Sequence, residues 1–479
     1  MLAKGALSAA SRCRLASASA GTLRSHRTPV LAFSTTPVSH AAPTAKKKPS
    51  AGVPKIKRGG APTDNDLDRA IDKAPPEPKP KYVPNKNAPE VVVGEWVPEK
   101  ATEDNVPQVL SLPPSFVEAV PLDTLPTIMM KYFSEFKTPS LLARKITLKI
   151  LDEVVAESKK PVADRVLMLD GRYGCGKSSV LLQSASYFKQ SGWIVIYVPR
   201  TFDWVCGLEP YAPVKDTIYY DQPEATAKVL KAIGRLNGEA LAEIPASSGK
   251  GTLADIVQQG SEDPAVAHAC LEELFGELSN GGADRPPVLI AIDQVNGLYS
   301  RTAYRDVHSK VITADRFNLA RSFIKFLNGE RKLKGAVLTS TDYTTNHLHS
   351  PFLNHILTSP STPTITIPTE ESKLPGPMRR DFVPRRPLKD VDEFGVLSWG
   401  REGEVSFDNV LKRTKVHPRG VVRVEVPEFA KEELERVVGY WKAGGLVPLN
   451  RQRPGMIEKF YMMTGGNPYK LFRDLLTAL

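Results

Sequence analysis

Arg165-Val166-Leu167-Met168-Leu169-Asp170-Gly171-Arg172-Tyr173-Gly174-Cys175-Gly176-Lys177-Ser178-Ser179 is the stretch on which the reading of this chain turns. Its first six residues are a compact apolar run, and the eight from Gly171 to Ser178 match G-x-x-x-x-G-K-[ST]. A helical pattern through Leu181, Leu182 and Tyr187 follows, closed by Ser191-Gly192, and a second apolar run covers Trp193 to Val198. This is a βαβ unit. Its strands lack polar alternation, as expected where helices cover both faces of a parallel sheet.

Working outward, Ile146, Ile150 and Val154 recur at helical spacing before the first strand, and Lys159-Lys160-Pro161 closes that helix. Val288 to Ile292, ending at Asp293, reads as a buried strand, and Gly335 to Thr341 as another. Leu319, Phe323, Phe326 and Leu327 mark a helix between them. Residues 199–287 read as helical and polar. From about Pro363 the pattern changes to Pro-rich connections and then to helices around Lys431 to Lys442 and Pro468 to Leu476. The expected fold is α/β: a P-loop NTPase sheet of AAA+-like kind with helices on both faces. The expected divisions are a leader at 1–33, an extended arm at 34–114, a core at 115–362 and a lid at 363–479.

Glycines in such a loop let successive backbone N–H groups point at phosphate oxygens, and the helix beginning near Lys177 adds its positive end. Lys177 would reach the β- and γ-phosphates and Ser178 would offer a hydroxyl to Mg²⁺. The expected nucleotide contacts are Gly171, Tyr173, Gly174, Cys175, Gly176, Lys177, Ser178, Ser179 and Ser340, and the expected Mg²⁺ ligands are Ser178 and Asp293. Asp293 suits a Walker-B carboxylate, bound directly or through water, although an aspartate can also simply cap a strand. Ser340 and Thr341 read equally as γ-phosphate sensors or as ordinary strand-end hydroxyls. Gln294 stands where many ATPases carry a water-polarising glutamate, and an amide is a much poorer base, so slow or absent turnover is expected. No catalytic residue is assigned.

Composition narrows the partners. The net charge of +11 suggests an anionic partner, but Lys4, Arg12, Arg14, Arg24, Arg27, Lys46, Lys47, Lys48, Lys55, Lys57 and Arg58 all precede the first acid, Asp64. The rest carries 53 residues of each sign, so any basic face must arise by clustering. Cys13, Cys175, Cys206 and Cys270 show neither zinc spacing nor a disulfide framework. No apolar run approaches the roughly 20 residues of a membrane-spanning helix. Met1 to Phe33 is rich in Ala, Ser and Arg and lacks acids, the composition of a mitochondrial transit peptide. From there to about Leu112, Pro, Lys, Ala and Asn dominate, with too few apolar residues to offset the entropy of ordering.

The presequence, the Gly171 to Ser178 loop, Val288 to Asp293 and the terminal Thr464-Gly465-Gly466-Asn467-Pro468-Tyr469 together resemble the death-associated-protein-three family of mitochondrial ribosomal small-subunit proteins. The likeness spans about Ser115 to Leu479. It implies an AAA+-like core in the mitochondrial ribosome of the matrix, contacting ribosomal RNA and neighbouring small-subunit proteins, with GTP or a related nucleotide bound and no homo-oligomer. The chain has no Asn-Lys-x-Asp segment to read guanine, so ATP stays open beside GTP, as does the diphosphate of either. The alternative reading is an active mitochondrial AAA+ ATPase acting on nucleic acid or protein, with a finger among Arg301, Arg305, Arg316 and Arg321.

The acid-free leader carries a direct expectation. N-terminal sequencing of the protein from purified mitochondria should begin near Ser34, and an intact Met1 would reject the leader.

Overall fold

The computed structural model describes residue 85 and residues 87–160, 162–247, 249, 251–280, 285–342, 350–367, 420–449 and 452–476. The expected leader, the arm before residue 85 and the Pro-rich stretch at 373–387 lie outside the described residues. The strands are β1 Gln108–Ser111, β2 Ser140–Ala143, β3 Val166–Asp170, β4 Ile194–Val198, β5 Ala212–Pro213, β6 Tyr220–Asp221, β7 Val288–Ile292, β8 Arg301–Arg305, β9 Val311–Thr313, β10 Gly335–Ser340, β11 Thr364–Ile365 and β12 Val421–Glu425. Six of them form one sheet in the order β11-β12-β3-β10-β7-β4. Every neighbouring pair in it is parallel. The remaining strands make antiparallel pairs.

Side chains on a strand alternate between faces, and here both faces are buried. Val166, Met168, Ile194, Ile196, Val198, Val288, Ile290 and Ile292 join one apolar cluster, and Leu167, Leu169, Val195, Tyr197, Leu289 and Ala291 the other. That double burial is why the runs read as continuously apolar. The first face is covered chiefly by helices Pro223–Ala242, Leu253–Glu262, Ala267–Ser279 and Asn318–Leu327. Helices Thr127–Ser134, Lys145–Ser158 and Lys177–Gln190 cover the second. Local chemistry starts these helices where they start. Pro223 supplies a preset φ at the first position of its helix, and Thr252 with Asp255 forms a capping box ahead of Leu253.

Two expected boundaries fall elsewhere. Ordered structure begins well before Ser115, because Trp96 is fully buried, its Nε1–H donating to the Gln183 carbonyl at 3.0 Å, and β1 pairs with β2. The division at residue 363 cuts through the sheet: β12 pairs with β3 along its whole length, and β11 adds the edge. The C-terminal helices Lys431–Ala443, Met456–Thr464 and Pro468–Leu476 share a third cluster with Phe136 and Leu142, from the segment between helices Thr127–Ser134 and Lys145–Ser158. Phe136 and Tyr440 stack with ring centroids 4.5 Å apart.

At one position the sheet depends on a missing side chain. Gly335 opens β10 opposite Val288 with φ 146°, and a Cβ there would lie 1.9 Å from the Val288 carbonyl oxygen. Gly335→Ala should therefore destabilise by about 3 kcal/mol or more, as strain must be relieved inside a central strand pair. Urea unfolding checks this. A loss below roughly 0.5 kcal/mol, the scale of a neutral surface change, would contradict it.

Candidate functional site

In a sheet whose strands all run one way, every carboxyl end lies on one edge. Here β3 ends at Asp170 and passes into the glycine-rich turn, β7 ends at Ile292 before Asp293, and β10 between them ends at Ser340. Gly174 and Gly176 in the turn have φ of 78° and 100°, the left-handed region open to glycine. The Cys175 N–H bonds the Arg172 carbonyl at 3.2 Å, and the helix starts at Lys177. The Lys177 ammonium is buried against the turn, 2.9 Å from the Gly171 carbonyl and 3.2 Å from that of Arg172. Ser179 is half-buried in the first helical turn.

Asp293 is fully buried. Its Oδ1 accepts from the Ser340 hydroxyl and, at 2.8 Å, from the Gln294 N–H. Its Oδ2 is buried with no hydrogen-bond partner among the described residues. Burial pushes the carboxyl up to about 6 from its ordinary 3.8, with the charge of Asp342 adding, while the hydroxyls of Ser340 and Ser178 and the Gln294 N–H pull it back. Ser178, in the first turn of its helix, and Ser340, at the end of β10, thus both act on the Asp293 carboxyl. Ser340 gives its hydroxyl to Asp293, and Thr341 bonds Asp170 at 2.9 Å, so each of the two strand-end hydroxyls holds a carboxylate. Burial also raises the Cys175 thiol, which stays a small apolar group of the turn.

The C-terminal turn at Gly465 to Tyr469 grips the glycine-rich turn from outside. Asn467 Nδ2 donates to the Tyr173 carbonyl at 2.8 Å, the Tyr469 N–H donates to the Gly174 carbonyl at 3.2 Å, and the two tyrosine rings meet at 5.0 Å. A Cβ on Gly174 would lie 2.5 Å from the Cβ of Tyr469. That glycine therefore serves the approach of the C-terminal turn as well as its own backbone angle.

Sequence reasoning missed Arg144. Its guanidinium is 3% exposed and donates to the Cys175 carbonyl, to the carbonyls of Pro427 and Glu428, and with two nitrogens at 3.0 Å to Glu433. Glu433 in turn accepts from the Ala430 N–H at the start of its helix. One planar fork thus ties the glycine-rich turn to the C-terminal helices, a task that suits Arg far better than Lys. No motif surrounds Arg144, so nothing local signals it. Asp342 and Asn296, described below, were missed for the same reason.

These features define a class: parallel α/β proteins in which a glycine-rich turn opens a helix beside a buried strand-end carboxylate, an arrangement suited to anionic ligands at the carboxyl edge of the sheet. A model of the mitochondrial ribosomal death-associated protein 3 family matches residues 141–474, more than half of the chain, and the chain belongs to that family. It is similar to the small ribosomal subunit protein mS29 of Neurospora crassa, 26% identical over 258 residues, which are 50% of this chain and 54% of the relative. The mS29 of Schizosaccharomyces pombe is 24% identical over 225 residues, 44% of this chain and 47% of that protein. That of Mus musculus is 24% identical over 260 residues, 52% of this chain and 66% of that protein. The match spans about half to two thirds of these relatives.

The raised Asp293 fixes a pH dependence. Between about pH 3.8 and 6 the folded protein keeps a proton that the unfolded chain has released. The group's contribution to stability is therefore fully present below pH 3.8 and is lost as pH rises through about 6. Asp293→Asn should thus stabilise the ligand-free protein at pH 7.5 by roughly 3 kcal/mol and by about half that at pH 5. Urea unfolding in chelator at both pH values measures this, and an equal effect at the two would exclude a raised carboxyl.

Proposed function

We propose that this protein is a nucleotide-holding structural component of the small subunit of the mitochondrial ribosome, working in the matrix among ribosomal RNA and small-subunit proteins and without a homo-oligomer. Family membership and the names of its relatives support the ribosomal part. Among the described residues no helix is long and apolar enough to cross a membrane. The nucleotide part rests on one observation above the others: Asp293 Oδ2 is buried without a hydrogen-bond partner among the described residues, while the Ser178 hydroxyl acts on the same carboxyl group.

An orphaned buried carboxylate oxygen costs about 1–3 kcal/mol unless something charged or donating meets it. A hard cation does so. Mg²⁺ takes one or two protein oxygens and fills its remaining positions with water and phosphate oxygens, so Ser178 and Asp293 are a sufficient protein share. On this reading Gly171 to Ser178 is the P-loop of an AAA+-like NTPase. Its backbone cradles the phosphates of GTP, ATP or the diphosphate, and Lys177 leaves the carbonyls of Gly171 and Arg172 for phosphate oxygens. When bound, Mg²⁺ neutralises phosphate charge. The C-terminal helices act as a lid, with Asn467, Tyr469 and Arg144 holding the loop in shape.

A ligand held only by the native state adds RT ln(1 + [L]/Kd), about 4 kcal/mol at a thousandfold excess over Kd, so a nucleotide can serve stability alone. Gln294 fits that role, because an amide cannot take up the proton of an attacking water. Sedimentation of mitochondrial lysate tests the ribosomal assignment: the protein should travel with the small subunit, and a free hexamer would favour an ATPase motor instead. Lys177→Ala should yield protein that folds but purifies without nucleotide and melts at lower temperature. Full nucleotide content with an unchanged melt would remove the loop from its role. Single-turnover hydrolysis of ATP and GTP should run well below roughly one per second, the low end for ordinary phosphoryl-transfer enzymes, and rates at or above that would end the structural-ligand reading.

A further inference from the structure

Gln294 is held in a costly conformation. Its φ is 57°, in the left-handed region that a residue with a Cβ enters at about 1–3 kcal/mol, and it is 7% exposed. Its neighbours impose this. The Gln294 N–H donates to Asp293 Oδ1 at 2.8 Å, while its carbonyl accepts from the Gly297 N–H at 2.8 Å and from the Thr201 hydroxyl.

The side chain is oriented as firmly as the backbone. Gln294 Nε2 donates to Asp342 Oδ2 at 2.8 Å, and the Asp342 N–H donates to Asn296 Oδ1 at 2.8 Å. An ionised carboxylate only accepts, so the amide nitrogen must be the end that faces Asp342, and the oxygen is turned away from it. That oxygen, Oε1, is buried with no hydrogen-bond partner among the described residues, as is Asn296 Nδ2. Asp342 lies near the functional groups: its charge adds to the burial that chiefly raises Asp293, and to the burial and Tyr469 contact that raise Tyr173 of the glycine-rich turn. Asn296, Asp342 and Gln294 therefore form a string that ends in an oriented acceptor on the residue that follows Asp293.

Resting on the nucleotide reading above, we propose that Asp342 is a positioning residue that fixes the Gln294 amide so that Oε1 accepts a hydrogen bond from the water attacking the terminal phosphorus of a bound triphosphate. In that hydrolysis the water oxygen bonds phosphorus as the bridging P–O bond to the diphosphate breaks, and the proton passes to a phosphate oxygen. The amide exchanges no proton. It orders the water, which makes turnover slow but directed, and it gives the site a means of distinguishing a triphosphate from a diphosphate. Asp342, just after β10, whereas Gln294 follows β7, supplies what the missing glutamate cannot, namely orientation without basicity.

The test compares two affinities, measured calorimetrically on the full chain with Mg²⁺: the nucleoside diphosphate alone, and the diphosphate with aluminium fluoride, which places a planar group and its axial water at the terminal position. Asp342→Ala and Gln294→Ala should each weaken the fluoride complex at least tenfold and change diphosphate affinity less than twofold. Asp342→Asn retains an acceptor for Gln294 Nε2 and should recover most of the loss. The double variant should be no weaker than either single one, as for two members of one device. Gln294→Ala gives the same reading should Asp342→Ala fail to fold. Equal weakening of both ligands, or no change in the fluoride complex, overturns the proposal while leaving nucleotide binding intact. Failure of the native protein to bind diphosphate, with Lys177→Ala no different, overturns the nucleotide reading and this one with it.

Discussion

The parallel direction of the central strands places the chemistry of this protein. Hydrogen-bonded strands stand about 4.8 Å apart, so β3 and β7, with β10 between them, are separated by roughly 10 Å at the carboxyl edge. Asp293 after β7 nevertheless meets the Ser178 hydroxyl, at the end of the loop that follows β3. Ser340 at the end of β10 occupies the gap, and the register that sets Thr339 beside Ile292 and Ser340 beside Leu169 puts its hydroxyl on Asp293. A slip of one residue would turn that hydroxyl to the other face.

Around this edge the chain pairs buried polar groups with half-buried ones where an ordinary core would have none. Arg144 with Glu433, Arg423 with Asp170 and Gln294 with Asp342 each join segments far apart in sequence. Buried ion pairs contribute little net stability because desolvation offsets attraction, but breaking one strands the partner. Their effect is to fix geometry. Arg423 of β12 holds Asp170 at the base of the glycine-rich turn while Arg144 holds the Cys175 carbonyl near its end. The strand that joined the sheet from beyond the expected boundary thus helps to shape the site.

The C-terminal turn completes the enclosure. Gly174 leaves room for Tyr469, and Asn467 divides its amide between the Tyr173 carbonyl and the Lys470 N–H, the latter at 3.1 Å. The same amide therefore caps the last helix and secures the turn. Movement of that helix must disturb the glycine-rich turn, and a ligand that orders the turn must favour the docked helix by an equal free energy.

Much of this was legible along the chain. Continuous apolar runs announced a sheet buried on both faces, G-x-x-x-x-G-K-S between a strand and a helix located the turn, and Asp293 at the end of an apolar run marked the second strand. Each is a local signal, because strand burial and backbone freedom leave their mark on adjacent residues. Trp96, Arg144, Asp342 and the inclusion of β12 in the sheet were not legible. Trp96 reaches Gln183, Arg144 reaches Glu433, Asp342 reaches Gln294, and β12 lies beside β3 across about 250 residues of chain. Such partners share no window of sequence in which a period or a motif could form. The residues alone determined four of the six sheet strands, β3, β4, β7 and β10, which turn must wrap and where the first carboxylate stands. Only the tertiary structure decided what holds that turn in place and which way Gln294 presents its amide, since those depend on side chains meeting through space.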